Sequence, residues 1–266
     1  MTIRLVATDL DGTLLRDDGS IGPRTASALA ACAAAGVSVV PITARPPHAT
    51  WPLLRPVGVG GLVVCANGAM VCDGGTHEVL QVDLLVASIA GRLVEQARAA
   101  VPGLLLAVDG PDRFVHEPGF FRGDEDWEDE VAEVPDVLDV LGDGVVKVVA
   151  RCDGRTAASL VTAIEDILGD QAQATSSNPE WIELSAFGVT KAHGLLSVCD
   201  LLGMPLSAVA AVGDNLNDLS MLSAAGLPCA VANARPEVLA VADRVLASNQ
   251  DEGVADLLEE VAAASS

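Results

Sequence analysis

The opening of the chain reads as strand, loop, helix, strand. Ile3 to Thr8 is a short, β-branched apolar run that ends on Asp9. Arg24 to Ala35 is Ala-rich and helical in pattern, with Pro23 suited to a first turn and Gly36 to a C-terminal stop. Val37 to Ile42 predicts a second strand and Leu62 to Ala66 a third. The last third repeats this rhythm. Lys191 to Leu202 predicts a helix stopped by Gly203, and Ala208 to Val212 a strand. Asp218 to Ala225 predicts a short helix, Cys229 to Val231 and Arg244 to Leu246 short strands, and Asp251 to Ala264 a closing helix. Strands alternating with helices predict an α/β fold, a parallel sheet with helices on both faces.

The middle of the chain has a different order. Asp83 to Ala100 predicts a long amphipathic helix. Leu104 to Val108 and Arg113 to Glu117 predict a hairpin around Asp109-Gly110. An acidic stretch, Asp124 to Glu133, reads as a solvated loop. Val145 to Arg151, a helix at Thr156 to Leu168, and strands near Gln171 to Thr175 and Trp181 to Leu184 follow. This is consistent with an inserted α/β domain at 81–185, splitting a core made of 1–80 and 186–266.

The chain has 266 residues, enough for one large or two modest domains. Half are hydrophobic and only 3% aromatic, so Ala, Val and Leu must build the core. A net charge of -22 argues against a nucleic-acid partner or an anionic membrane, since both need a basic surface. The six cysteines form no CxxC pair and several sit in apolar runs, which reads as free thiols in a reducing compartment. The run before Asp9 is too short for a signal peptide, and Gly36 and Pro41 break the longest apolar stretch. The expected location is the cytoplasm. No interface stripe stands out from which an oligomeric state could be read.

Chemistry collects at strand ends. The first strand delivers Asp9-Leu10-Asp11-Gly12-Thr13, the second Thr43-Ala44-Arg45, the third Asn67-Gly68, and the strand at 208–212 delivers Gly213-Asp214-Asn215-Leu216-Asn217-Asp218. In an open parallel sheet, ligands bind at this carboxyl edge. Asp9, Asp11 and Asp214 gather negative charge that a cation must offset, and an all-oxygen donor set favours Mg²⁺. The four histidines show no metal-ligand spacing. Gly12-Thr13 offers turn N–H groups to phosphate oxygens. Lys191 heads a helix, where its charge opposes the dipole, so helix propensity does not explain it. Singly, each has a plainer reading. Asp-Gly is a common turn pair, Lys191 could lie on the surface, Arg45 could make a surface ion pair, and Asn67-Gly68 reads as a turn and hinge. Trp181 and Glu183 read as packing within the inserted domain.

In order, these segments resemble the four signatures of the haloacid dehalogenase superfamily: Asp9-Leu10-Asp11-Gly12-Thr13-Leu14-Leu15, then Thr43-Ala44-Arg45, then Lys191, then Gly213 to Asp218. Asn67-Gly68-Ala69 before a large insertion resembles its Cof-type subgroup, with a Rossmann-like core and an α/β cap of the IIB kind. The resemblance spans essentially the whole chain. It implies a Mg²⁺-dependent phosphatase acting on a small phosphorylated metabolite, with a cap that excludes water. Asp9 would be the nucleophile and Asp11 the general acid and base. Asp9, the Asp11 backbone carbonyl and Asp214 would hold the metal. Gly12, Thr13, Thr43, Ala44, Arg45, Lys191 and Asn217 would bind substrate, with Lys191 also steadying charge in the transition state. Asn215 and Asp218 would support them. Ala44 stands where the family usually has Gly. A phosphosugar mutase of the same superfamily, and a non-catalytic phospho-acceptor or metabolite-binding protein, stay open as alternatives. Sugar phosphates, nucleotide-derived phosphates, cofactor phosphates and small phosphorylated acids are all open as substrates.

Overall fold

The computed structural model describes residues 2–111, 113–121, 131–176 and 179–265. The chain begins with β1 (Leu5–Thr8), α1 (Pro23–Ala34), β2 (Ser38–Pro41), α2 (Pro47–Leu54), β3 (Leu62–Cys65), β4 (Met70–Asp73) and β5 (Val79–Val82). Next come β6 (Leu85–Val86), α3 (Ala87–Ala100), β7 (Leu105–Asp109), β8 (Phe114–His116) and β9 (Val131–Glu133). They are followed by β10 (Gly144–Val145), β11 (Lys147–Arg151), α4 (Ala157–Leu168), β12 (Ala172–Thr175) and β13 (Trp181–Ala186). The chain closes with α5 (Lys191–Leu202), β14 (Val209–Gly213), α6 (Leu219–Ala224), β15 (Leu227–Val231), α7 (Pro236–Leu239), β16 (Arg244–Leu246) and α8 (Gly253–Ser265). Two compact units result, Met1–Gln81 with Thr190–Ser266, and Val82–Val189. The second boundary falls later than the sequence places it, because β13 runs on to Ala186 and Thr190 is already the N-cap of α5.

The first unit is built on a parallel sheet in the order β16-β15-β14-β1-β2. Its central strands are buried on both faces and are therefore continuous Val and Ala runs: Leu5 to Ala7 and Val209 to Val212 are fully buried. From β1 the chain first adds β2 on one side, then returns to add β14, β15 and β16 on the other. The switch point lies between β1 and β14, and their carboxyl ends carry Asp9 and Asp214. β3 departs from the expected third parallel strand. It pairs antiparallel with β4, and its link to β2 is a single parallel bridge, Ile42 with Val64. The hairpin forms because Ala66 and Asn67 both adopt positive φ and reverse the chain there.

The second unit holds a sheet in the order β12-β13-β11-β7-β8-β9. Its strands pair antiparallel except β8 with β9, and the expected hairpin around Asp109-Gly110 is β7 with β8. One face packs Leu106, Val108, Val148, Ile182 and Leu184 against Leu93 and Val94 of α3 and Leu160 and Ile164 of α4. The other face carries Phe114, Phe120 and Val149 together with a buried ion cluster, Lys147 with Glu183 at 2.8 Å and Asp109 at 3.9 Å. Of the acidic stretch, Val131–Glu133 is strand β9, and the rest lies outside the described residues.

Candidate active site

The loop after β1 winds back on itself as soon as the strand ends. Leu14 and Leu15 N–H groups donate to the Asp9 and Leu10 carbonyls, and Gly12 takes φ +76 to let the turn close. A Cβ on Gly12 would stand 2.7 Å from Asp214 Oδ2, so this position needs glycine for space as well as conformation. Thr13 Oγ1 donates to Asp214 Oδ1 at 3.0 Å. The two strand ends at the switch point are thus locked together by short side chains.

Lys191 is the first residue of α5, with Thr190 as N-cap accepting from the His193 N–H. Its side chain is 1% exposed, and Nζ donates to Asp9 Oδ1 at 2.5 Å and Asp218 Oδ1 at 2.6 Å. Burial pulls its pKa down, but Asp218 and Asp9 outweigh that and hold it above the usual lysine range. It stays charged. Asp218 is fully buried and held by three bonds: Oδ2 accepts from the N–H groups of Asp214 (3.0 Å) and Asn215 (2.9 Å), while Oδ1 takes Lys191. Asn215 caps the same turn with its side chain on the Leu216 N–H. Asp218 therefore positions Lys191 and shapes the loop that carries Asp214.

At the end of β2, Thr43 is buried and its Oγ1 accepts from the Arg45 N–H at 3.1 Å. Ala44, half-buried, links the two. The Arg45 guanidinium holds Asp11 with two bonds, 2.8 Å to Oδ2 and 2.7 Å to Oδ1. Asp11 thus faces Arg45, and its carboxylate does not join the acidic cluster. That cluster is Asp9, Asp214 and Asp218, whose oxygens lie within 4.8 Å of one another. Asn217 Nδ2 donates to Asn67 Oδ1 at 3.0 Å. From its sequence context alone Asn67 is expected only as a turn and hinge residue.

Two further residues went unread in the sequence. Asn233 Nδ2 donates to the Gly12 carbonyl at 2.7 Å, and Asn249 Nδ2 to the Leu15 carbonyl at 3.0 Å, while the Asn249 N–H donates to Asn233 Oδ1. Both brace the loop after β1. Asn233 follows the end of β15, so the strand-end signal that found the other residues applied to it too.

The electrostatics call for a cation. Burial first, then Asp218, raise the Asp214 pKa. Asp9 is raised well above the carboxylate range by burial, with Lys191 opposing and Asp218 and Asp214 adding to it. With all four carboxylates ionised, Asp9, Asp11, Asp214 and Asp218 face two cations, Lys191 and Arg45, and the raised pKa values of Asp9 and Asp214 reflect the charge that a bound cation would offset. Asp218 is engaged by three donors, whereas Asp9 accepts from Lys191 and Asp214 from Thr13, so these two have the greater capacity left for a metal. A hard, all-oxygen pair with this charge deficit fits a divalent ion such as Mg²⁺.

The family model described as haloacid dehalogenase-like hydrolase matches residues 6–258. The chain is 28% identical to the 5-amino-6-(5-phospho-D-ribitylamino)uracil phosphatase YitU of Bacillus subtilis, over 96% of each chain. It is 26% identical to the pyridoxal phosphate phosphatase YbhA of Escherichia coli, over 97% of this chain and 98% of that one. Its fold superposes on a haloacid dehalogenase-like hydrolase from Bacteroides thetaiotaomicron with a TM-score of 0.82 at 26% identity, covering 98% of this chain and 100% of the other. No described helix is long and apolar enough to cross a membrane. With the carboxylates at the β1/β14 switch point inside the matched span, the chain belongs to the haloacid dehalogenase-like hydrolases, as a Cof-type phosphoric monoester hydrolase.

Proposed function

We propose that this chain is a Mg²⁺-dependent phosphatase that hydrolyses a small phosphorylated metabolite through an aspartyl-phosphate on Asp9. The observation that carries this reading is the buried Lys191 ammonium clamped between Asp9 and Asp218, beside Asp214. Asp9 attacks phosphorus with a carboxylate oxygen as the ester P–O bond breaks. Lys191 holds Asp9 in place and stabilises the equatorial oxygens of the transferring group, with the Thr43 hydroxyl and the Gly12 and Thr13 N–H groups beside it. Asp11 gives its proton to the leaving alkoxide, then takes one from the water that attacks the phospho-aspartate, which releases inorganic phosphate and restores Asp9. Its present pairing with Arg45 means that it must turn to do so. A Mg²⁺ ion held by Asp9, Asp214 and the Asp11 carbonyl would supply charge neutralisation for the approach of an anionic ester. The two named relatives act on small phosphate esters, and this supports a substrate of that size.

The test is phosphate release from a panel of small phosphate esters, with Mg²⁺, then with EDTA, then with Mg²⁺ restored. Release is expected on a few esters, to stop with chelator and to return with the ion. Asp9→Asn should lower turnover by a factor of about 10³ or more while the protein stays folded. Near-normal turnover in that variant would remove Asp9 as the nucleophile.

A further inference from the structure

Asn67 lies where the chain leaves β3, in a turn with two consecutive non-glycine residues at positive φ, Ala66 at +52° and Asn67 at +56°. That conformation costs energy at alanine especially, and such strain persists where surrounding bonds over-determine it. Here they do. The Ala66 N–H donates to the Arg45 carbonyl (2.9 Å) and the Asn67 N–H to the Thr43 carbonyl (2.8 Å). On the other side, a Cβ on Gly68 would stand 2.0 Å from the Thr190 carbonyl oxygen, so the turn is pressed against the start of α5, one residue before Lys191. The Asn67 side chain, 6% exposed, then reaches the fourth strand end by accepting from Asn217 Nδ2 at 3.0 Å. One turn thus joins the loop of Thr43 and Arg45, the N-terminus of the Lys191 helix and the Asn217 turn.

We infer that Asn67 is a positioning residue for phosphoryl binding. Its carboxamide oxygen fixes the orientation of the Asn217 amide. A carboxamide turned the other way would set two oxygens against each other. Held as it is, Asn217 has one Nδ2 hydrogen committed to Asn67 and a second to give to a phosphoryl oxygen. The strained turn places the Asn67 oxygen 3.0 Å from Asn217 Nδ2 while its backbone N–H holds the Thr43 carbonyl. The inference rests on the proposed phosphatase reading, in which Asn217 faces the phosphate.

The experiment compares Asn67→Gly, Asn217→Ala and the double variant as full-length enzymes with Mg²⁺. It reads thermal midpoint, KM, kcat and competitive inhibition by inorganic phosphate. Glycine keeps the left-handed turn and removes only the side chain. Asn67→Gly is expected to unfold within a few degrees of wild type yet to weaken phosphate inhibition and raise KM by about tenfold, the loss of one aligned hydrogen bond to an anion. Asn217→Ala should do the same, and the double variant should be no more than about twofold worse than the weaker single, because the two act in one chain. If Asn67→Gly leaves phosphate inhibition within twofold of wild type while Asn217→Ala weakens it, Asn67 is a turn residue only and the inference fails with the phosphatase reading intact. Multiplicative losses in the double variant would overturn it equally. If Asn217→Ala is itself silent, Asn217 does not bind phosphate, and the inference falls with that assignment. Wild-type turnover and Asp9→Asn test the phosphatase reading separately.

Discussion

Replacing Lys191 with methionine keeps the length of the side chain and removes its charge. Nζ lies 2.5 Å from Asp9 and 2.6 Å from Asp218, and the side chain is 1% exposed. At these separations, with an effective dielectric of about 20, each contact is worth about 6 kcal/mol of attraction before solvation is counted. Burying the ammonium and two carboxylates costs several kcal/mol per ion, so the net loss on breaking the cluster should be about 3–5 kcal/mol. Asp218 keeps its two backbone N–H donors, so most of this loss falls on Asp9, which is left beside Asp214 without a cation. At about 2–4 °C per kcal/mol for a unit of this size, the first unit should unfold about 6–20 °C lower in the absence of metal. Added Mg²⁺ should recover more of that shift in the variant than it adds to wild type, since an extra uncompensated charge tightens cation binding. Turnover with saturating Mg²⁺ should fall by about 10²–10³, the usual size of losing one aligned charge at a transferring group. The assay is a melting curve with and without Mg²⁺, followed by phosphate release on the best ester. A variant that melts within about 2 °C of wild type without metal, or keeps more than a tenth of its turnover, would refute the clamp.

Gly194→Ala tests the fit of the Lys191 helix: the new Cβ would meet Val64 Cγ1 at 2.4 Å and Gly68 Cα at 2.9 Å. One neighbour is backbone, so the helix must shift, at a cost of about 1–3 kcal/mol in urea denaturation and with a fall in turnover even where the protein is folded. In the second unit, burial pushes the Asp109 carboxyl up from 3.8 to about 7, with Lys147 opposing and Glu183 adding. The folded state holds this proton more tightly than the unfolded chain, so the stabilisation is complete below about 4 and is lost as pH rises to about 7. That is on the order of 4 kcal/mol. Urea midpoints at pH 5 and pH 8 should show the decline in wild type and a flatter response in Asp109→Asn. An equal slope in both proteins would assign the pH dependence to other groups.

What could be read from sequence was whatever depends on one chain direction and one period. β1, β14 and α5 are continuous runs with a polar residue or a stop at the end; Asp9 and Asp214 stand just past the carboxyl ends of their strands, where a buried strand must finish before the chain can present charge, and Lys191 stands at the first position of its helix. α2 was not legible, because Pro47 and Pro52 lie in it and Pro46 precedes it; it survives because Pro47 needs no N–H at the first turn. β3 was found as a strand but placed in the wrong sheet. Its apolar pattern is the same in either arrangement, and the reversal is decided by two residues at positive φ, which alanine at 66 gives no reason to expect. The same limit separates the two kinds of site residue. Asp9 and Lys191 announce themselves, since charge inside an apolar pattern requires a reason. Asn67 and Asn233 make hydrogen bonds to groups 150 or more positions away in sequence, and an asparagine after a strand is also what any turn would use; Asn217 is given a role only through the family resemblance, which does not show its bond to Asn67. The Arg45–Asp11 pair falls between these cases. Both residues were named, but a strand-end aspartate gives no sign of which neighbour it faces, and only the adjacency of β1 and β2 brings Arg45 within reach of it. A site of this kind is therefore legible in its charges before it is legible in the neutral residues that aim them, and mutational tests of the neutral residues carry the newer information.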